Sequence, residues 1–351
     1  MTPVFILSNR SYSGKTFLAL GLALKLLDKG YKVGYIKPLG RTPVKKGMEI
    51  YDADALFMKD ALSLPEPMDI ISPFVLDYER MSLIYEGRIK DAKNRIIGAV
   101  RGMKDKDFVL IGGGGEIFEG AMLDISALDL MDELNASAIA IEAWSGDEAI
   151  DAFFGIKKLL GERFKGGVIN KVPLNALSHV KGAVRQFLER SGICVFGVFQ
   201  KDSILEAISV RQINEILNGK VMCCEDRLDE FVENFSIGAM DVDSALSYFR
   251  KLHNKAVITG AHRSDIQLAA METSTKCIIL TGGLYANDVV IGRAQSKGIP
   301  VISAEEDTFT IVDRIESVMG KTRLREISKI DRAKNMIDKE FDLRRFLECK
   351  F

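Results

Sequence analysis

The chain has 351 residues, 47% hydrophobic and 28% charged, which is close to ordinary globular usage and excludes a largely disordered or fibrous chain. Lys and Arg number 48 against 49 Asp and Glu, a net charge of −1, so no overall field attracts nucleic acid or an anionic membrane and any polyanion must be met locally. At about 100–200 residues per domain the length suggests two domains.

The N-terminus runs from Met1-Thr2-Pro3 directly into an apolar run at 4–7, without the basic segment and longer apolar run of a signal peptide. The apolar stretch from 17 to 27 carries Lys25 and is far shorter than the ~20 residues a bilayer requires. A cytoplasmic protein with no membrane span is expected. Five cysteines, an odd number without Cys-x-x-Cys spacing, argue against a disulfide framework or a Cys-rich zinc site and read as reduced core thiols.

Short β-branched runs at 4–7, 33–36, 108–111, 138–141, 167–169 and 194–199 alternate with helix-length segments. Strands apolar at successive positions are buried on both faces, and linked by amphipathic helices they imply right-handed βαβ units and a mainly parallel sheet. An α/β domain over 1–217 follows, its last helical pattern at 210–217 ending before Gly219, which suits a helix C-cap. A second, smaller α/β domain is expected over 218–321, from apolar runs at 221–223, 256–259, 277–280 and 300–303 with helices over 243–252 and 307–319 between them. In the tail, 322–351, Ile330, Ala333, Ile337 and Phe341 at helical spacing predict a terminal helix packed on its own or a neighbouring subunit. Its mixed charges argue against a nucleic-acid arm.

The strongest motif is Ser8-Asn9-Arg10-Ser11-Tyr12-Ser13-Gly14-Lys15-Thr16, directly after a strand and directly before a helix. A P-loop belongs in that position, because backbone N–H groups and a helix N-terminus can surround phosphates there, with a Lys as point charge and a Thr hydroxyl on Mg²⁺. Gly14-Lys15-Thr16 is a weak tripeptide by itself, and the leading Gly of the usual pattern is replaced by Asn9 or, in a longer loop, Ser8. The bland alternative is a Ser-rich turn with a solvated Lys15. Lys37, at the carboxyl end of the second strand and followed by Pro38, would point into the same crevice. Asp52-Ala53-Asp54 can hold Mg²⁺ or complement a helix N-terminus. The strand at 108–111 opens into Gly112-Gly113-Gly114-Gly115-Glu116, whose glycines permit close backbone approach to a ligand. Trp144 reads as core. His179, His253 and His262 lack a metal-ligand spacing.

On these residues the first 215 or so positions resemble the dethiobiotin-synthetase-like branch of P-loop NTPases, and the whole chain resembles that domain fused to a DRTGG domain, as at the N-terminus of some bacterial phosphotransacetylases. The longer family P-loop ends in Gly-Lys-Thr, matching Gly14, Lys15 and Thr16. A Lys-Pro after strand two matches Lys37-Pro38, and an Asp-x-Asp segment matches Asp52 and Asp54. Asn170, after the strand at 167–169, stands where an Asn contacts adenine. A family Glu that binds Mg²⁺ falls at Gly112, with Glu116 as a nearby substitute. The DRTGG resemblance is clearest at Thr259-Gly260-Ala261-His262-Arg263 and Thr281-Gly282-Gly283, with His262 where Asp is expected. Arg263 can bind an anion or hold two loops together.

The resemblance implies ATP and Mg²⁺ as cofactors. Lys15 and Lys37 take the catalytic positions, Ser11, Ser13, Gly14, Lys15, Thr16 and Asn170 bind the nucleotide, and Thr16, Asp54 and Glu116 bind the metal. The leading expectation is an ATP-binding, Mg²⁺-dependent protein, a homodimer or higher oligomer, with a regulatory ligand at the second domain. Two alternatives stand: a ligase that uses ATP to activate a small carboxylate or carbamate substrate, and a scaffold with a degenerate nucleotide site. Phosphotransacetylase activity is not expected, because in the family it resides in a separate C-terminal domain.

Overall fold

A computed structural model describes every residue except 48, 113–114, 319–326 and 350. Contacts divide the chain into two units, Met1–Lys201 with Arg323–Phe351, and Asp202–Thr322. The first is built on six parallel strands, β1 (Thr2–Leu7), β2 (Val33–Ile36), β3 (Phe108–Gly112), β4 (Ser137–Ala143), β5 (Phe164–Val172) and β6 (Val195–Gln200), in the order β6-β5-β4-β1-β3-β2. All six predicted strands are present. Residues 4–7 and 108–112 are buried without alternation, because helices cover both faces of the sheet. Three helices matter to the site: α1 (Lys15–Asp28) after β1, α2 (Ala53–Ala61) after the second strand's loop, and α3 (Asp147–Leu160) after β4.

The strand order creates the site. From β1 the chain builds β2 and β3 on one side and then crosses to place β4 on the other. Connections leaving the carboxyl ends of β1 and β4 therefore diverge, and the crevice between them is where open parallel sheets bind ligands.

The second unit has a five-stranded sheet of β7 (Lys220–Cys223), β8 (Asn234–Ile237), β9 (Lys255–Gly260), β10 (Thr275–Thr281) and β11 (Val301–Ser303), in the order β7-β11-β10-β9-β8. Only β7 is antiparallel to its neighbour. The strand β8 was not predicted. It lies at the sheet edge with three of its four residues half-buried or exposed, so it carries no continuous apolar run.

The units depart from the expected division in two places. Helix Val210–Leu217 belongs to the second unit, where Val210, Ile213 and Leu217 pack with Ile302. Its left-handed terminal residue is Asn218, at φ 47°, and not Gly219. Gly219 is small for a different reason, since a Cβ there would lie 2.6 Å from Ile302 Cγ2. The tail joins the first unit: helix Ile327–Glu340 packs so closely on α1 that a Cβ at Gly21 would lie 2.3 Å from Ile337 Cγ1. Lys25 Nζ donates to the carbonyls of Ile337, Asp338 and Phe341 at 3.0, 3.1 and 3.0 Å, which satisfies the end of that helix. Phe341 and Phe346 then close on Phe196 of β6 at 5.9 and 5.8 Å.

Among the described residues no helix is long and apolar enough to cross a membrane. The five cysteines are free thiols, with Cys223 and Cys277 buried.

Candidate functional site

The loop from Ser8 to Gly14 leaves β1 at its carboxyl end and enters α1 at Lys15. Gly14 sits at φ 112°, and a Cβ there would lie 2.3 Å from Asn170 Nδ2, so no other residue fits without displacing Asn170. Asn170 Nδ2 donates to the Ser13 carbonyl at 2.9 Å and so clamps the loop to the end of β5. Ser8 Oγ donates to the Arg10 carbonyl at 2.5 Å and Ser13 Oγ to the same oxygen at 3.0 Å, folding the loop on itself. Ser11 is exposed and Thr16 half-buried.

Lys15 is only 6% exposed, and its Nζ donates to Ser8 Oγ at 2.6 Å. Burial lowers its pKa to about 8, against the pull of Glu119, Glu142 and Glu116, with Lys37 adding to the lowering. An ammonium in this state gains strongly from an anion delivered to the loop.

Lys37 lies in a buried ion pair cluster. Its Nζ is 2.8 Å from Asp52 Oδ1 and 2.9 Å from Asp54 Oδ2. Asp52 is fully buried, caps α2 by accepting from the N–H groups of Asp54 and Ala55, and accepts the Thr42 N–H and hydroxyl at 2.9 Å each. Burial opposes its ionisation, yet Lys37, Thr42 and Ala55 together hold its carboxyl below the usual range. Gly40 makes room for it, since a Cβ there would lie 2.6 Å from Asp52 Cβ. Of the two sequence readings of the Asp-x-Asp segment, the helix cap is present at Asp52, while Asp54, 8% exposed, pairs with Lys37.

At Gly112 the side of β3 is filled by its neighbour strand. A Cβ there would lie 2.5 Å from the Tyr35 hydroxyl oxygen, so the Tyr35 ring takes the space a longer side chain would use. Burial, and then the charges of Asp54 and Asp52, keep that hydroxyl protonated. Beyond β3, Glu116 is exposed, while Glu119 accepts the Gly115 N–H and pairs with Arg41 Nε at 2.5 Å.

Sequence reasoning passed over Glu142. It is the last but one residue of β4 and 1% exposed, and its Oε1 accepts the Asn9 N–H at 2.5 Å. A lone acid closing the apolar run Ala-Ile-Ala-Ile was the available signal. Outside it, Arg10 spans from the loop to α3, meeting Glu148 at 2.6 Å and Ser145 at 3.2 Å. A cavity of about 620 Å³ opens next to Asn9, walled by Ile117, Phe118, Ile156 and Leu159 with Asp151 and Lys158 at its edge.

The donor set fits a nucleoside triphosphate and Mg²⁺: a glycine cradle that a Cβ would fill, a buried lysine, a threonine at the first turn of α1 and a carboxylate at Asp54. Among the described residues no group of three or more His, Cys, Asp or Glu gathers to hold a metal by itself. Nucleotide-bound Mg²⁺ needs no such cage, since phosphates and waters supply most of its ligands.

In the second unit, Arg263 holds loops together. It donates to the Met240 carbonyl at 2.9 Å and pairs with both oxygens of Asp265 at 3.0 and 3.1 Å. Gly282 and Gly283 follow β10 at φ 84° and 68°, a turn that favours glycine at both positions.

Fold and loop together define a P-loop NTPase domain joined to a second α/β domain. The chain belongs to the family described as "AAA domain", which it matches over residues 2–209, and it matches "DRTGG domain" over 212–318. It is 24% identical over 279 residues to a phosphate acetyltransferase of Synechocystis sp., covering 77% of this chain and 39% of that protein. It is 23% identical over 362 residues to the phosphate acetyltransferase of Nitratidesulfovibrio vulgaris, covering 97% of this chain and 50% of that protein. A dethiobiotin synthetase of Methanocaldococcus jannaschii is 27% identical over 149 residues, 39% of this chain and 64% of that protein. The chain thus matches the N-terminal region of phosphotransacetylase-like proteins, spanning half or less of the length of the two acetyltransferases.

Proposed function

We propose that the first unit binds ATP with Mg²⁺ and that the second regulates it in response to a ligand. The observation that carries this reading is the buried Lys15, aimed into a glycine-cornered loop at the switch point of the sheet, where it has a hydroxyl partner and its ammonium is opposed by burial. Lys15 and the loop N–H groups of Ser11 to Gly14 would hold the phosphates, and Lys37 would approach them from its carboxylate pair. Thr16 and Asp54 would hold Mg²⁺, with Glu116 from the neighbouring loop. Bound Mg²⁺ would offset phosphate charge and polarise the terminal phosphoryl group. Asn170, clamped to Ser13, would fix the loop at the nucleotide's edge. On this reading the protein acts in the cytoplasm as a homo-oligomer. The experiment is calorimetric titration with a non-hydrolysable ATP analogue in the presence and absence of Mg²⁺. Saturable binding that tightens with Mg²⁺ supports the reading, and no heat at millimolar analogue refutes it.

A second reading, an ATP-dependent ligase acting on a small carboxylate or carbamate, draws support from the apolar cavity beside Asn9, which is large enough for an acceptor. ADP release that depends on an added acceptor separates this from binding alone.

A further inference from the structure

The register of the sheet delivers one carboxyl group into the phosphate loop. The last β1–β4 pair is Leu7 with Ala140, so Glu142 lies two residues beyond it, level with Asn9, whose N–H it accepts at 2.5 Å. The side chain is 1% exposed. Lys15 on α1 and Arg10 on the loop are the cations that act on it, with the Ser13 hydroxyl nearby. Lys15 also feels the charges of Glu119, Glu116 and Lys37. Glu142 thus takes one amide of the loop in a pocket that a phosphate would make strongly anionic.

We propose that Glu142 is a positioning residue of the phosphate loop that must be neutral when phosphate is bound, so that nucleotide binding draws a proton onto its carboxyl group. The inference rests on the nucleotide reading of the loop. As the protonated acid, Glu142 keeps an oxygen to accept the Asn9 N–H and adds no charge against the ligand. As the carboxylate it repels the incoming phosphates across a buried site where screening is weak. Burial already pushes its pKa up to about 7, although Asn9, Lys15, Arg10 and Ser13 favour the ionised form. Bound phosphate raises it further, and by linkage the affinity must fall as pH rises through the free-state titration.

The test compares wild type with Glu142→Gln, which keeps the acceptor and removes the titration. Affinity for a non-hydrolysable ATP analogue with Mg²⁺ is measured by calorimetry from pH 6 to pH 8. The ratio of wild-type to variant affinity should fall about tenfold across this window, because a group with free pKa near 7 must then be protonated on binding. Lys15 and the nucleotide's own phosphate titrate in both proteins and cancel in the ratio. Titrated at pH 7 in two buffers of different ionisation enthalpy, wild type should take up about half a proton more per nucleotide than Glu142→Gln. Binding with the same pH dependence in both proteins overturns the inference alone, as does equal proton uptake by wild type and Glu142→Gln at pH 7. No binding by the wild type at any pH overturns the nucleotide reading and the inference with it.

Discussion

Lys37→Met removes the cation from between two carboxylates and keeps most of the aliphatic stem. Asp52 is completely buried and Asp54 is 8% exposed, so neither regains full hydration when the ammonium, 2.8 and 2.9 Å away, is lost. Breaking one partner out of a buried pair typically costs about 3–5 kcal/mol. Asp52 retains the Thr42 N–H and hydroxyl and the N–H groups of Asp54 and Ala55, which place the expected loss near the lower end, about 3 kcal/mol. Trp144 is the single tryptophan and packs against the core of the first unit, so its fluorescence during urea unfolding reports that unit alone. Adding Asp52→Asn to Lys37→Met should recover part of the loss, since the amide oxygen still accepts from the helix and one of the two stranded charges is gone. A loss below about 1 kcal/mol for Lys37→Met would refute the reasoning, since that is the range of solvent-screened pairs, and so would a further loss on adding Asp52→Asn.

Three other outcomes follow from the same structure. Gly21→Val should cost about 1–3 kcal/mol by forcing a methyl-bearing carbon into Ile337, 2.3 Å from the ideal Cβ, and hydrogen exchange should rise selectively in Ile327–Glu340; unchanged protection there would contradict the packing. In the free protein Glu142, raised to about 7 from 4.5, binds more protons folded than unfolded, so its contribution to stability is lost as pH rises from about 4.5 to 7. Glu142→Gln should flatten that slope, gaining on the order of 3 kcal/mol relative to wild type at pH 8, as read by Trp144 fluorescence in urea. Lys255 in the second unit is fully buried, donates to Thr273 Oγ1 and the Ser274 carbonyl at 2.9 and 3.0 Å, and is lowered by burial to about 8. Its folded form binds fewer protons than its unfolded form between pH 8 and 10.5, so stability of that unit should rise with pH in this window and Lys255→Met should remove the rise in scanning calorimetry.

The parallel sheet was legible because its strands are apolar at successive positions, which is the pattern of burial on both faces. The edge strand β8 was not, since its apolar Phe235 and Ile237 are separated by a serine and only Ser236 is buried. Lys15 and the loop were found by their place between strand and helix, a local property. Glu142 was not, because what matters is its level relative to Asn9, and that is set by the pairing of β4 with β1. Gly112 shows the same limit: the resemblance implies a longer, metal-binding side chain there, and only the pairing of β2 with β3 brings Tyr35 over the gap. The Asp-x-Asp segment left cap and metal ligand open because its partner is remote in sequence: Asp52 caps the helix, and Lys37 joins both acids from 15 and 17 residues away. Arg263 was open for a similar reason, since its bond to the Met240 carbonyl reaches back 23 residues in the chain.

The central claim concerns Lys15, and the most direct measurement is the affinity of Lys15→Ala for a non-hydrolysable ATP analogue with Mg²⁺, by calorimetry beside wild type. Trp144 fluorescence should show an intact first unit, and affinity should fall at least about a hundredfold, the worth of a charge-assisted contact in a desolvated site. Equal affinity in a folded variant would contradict the account.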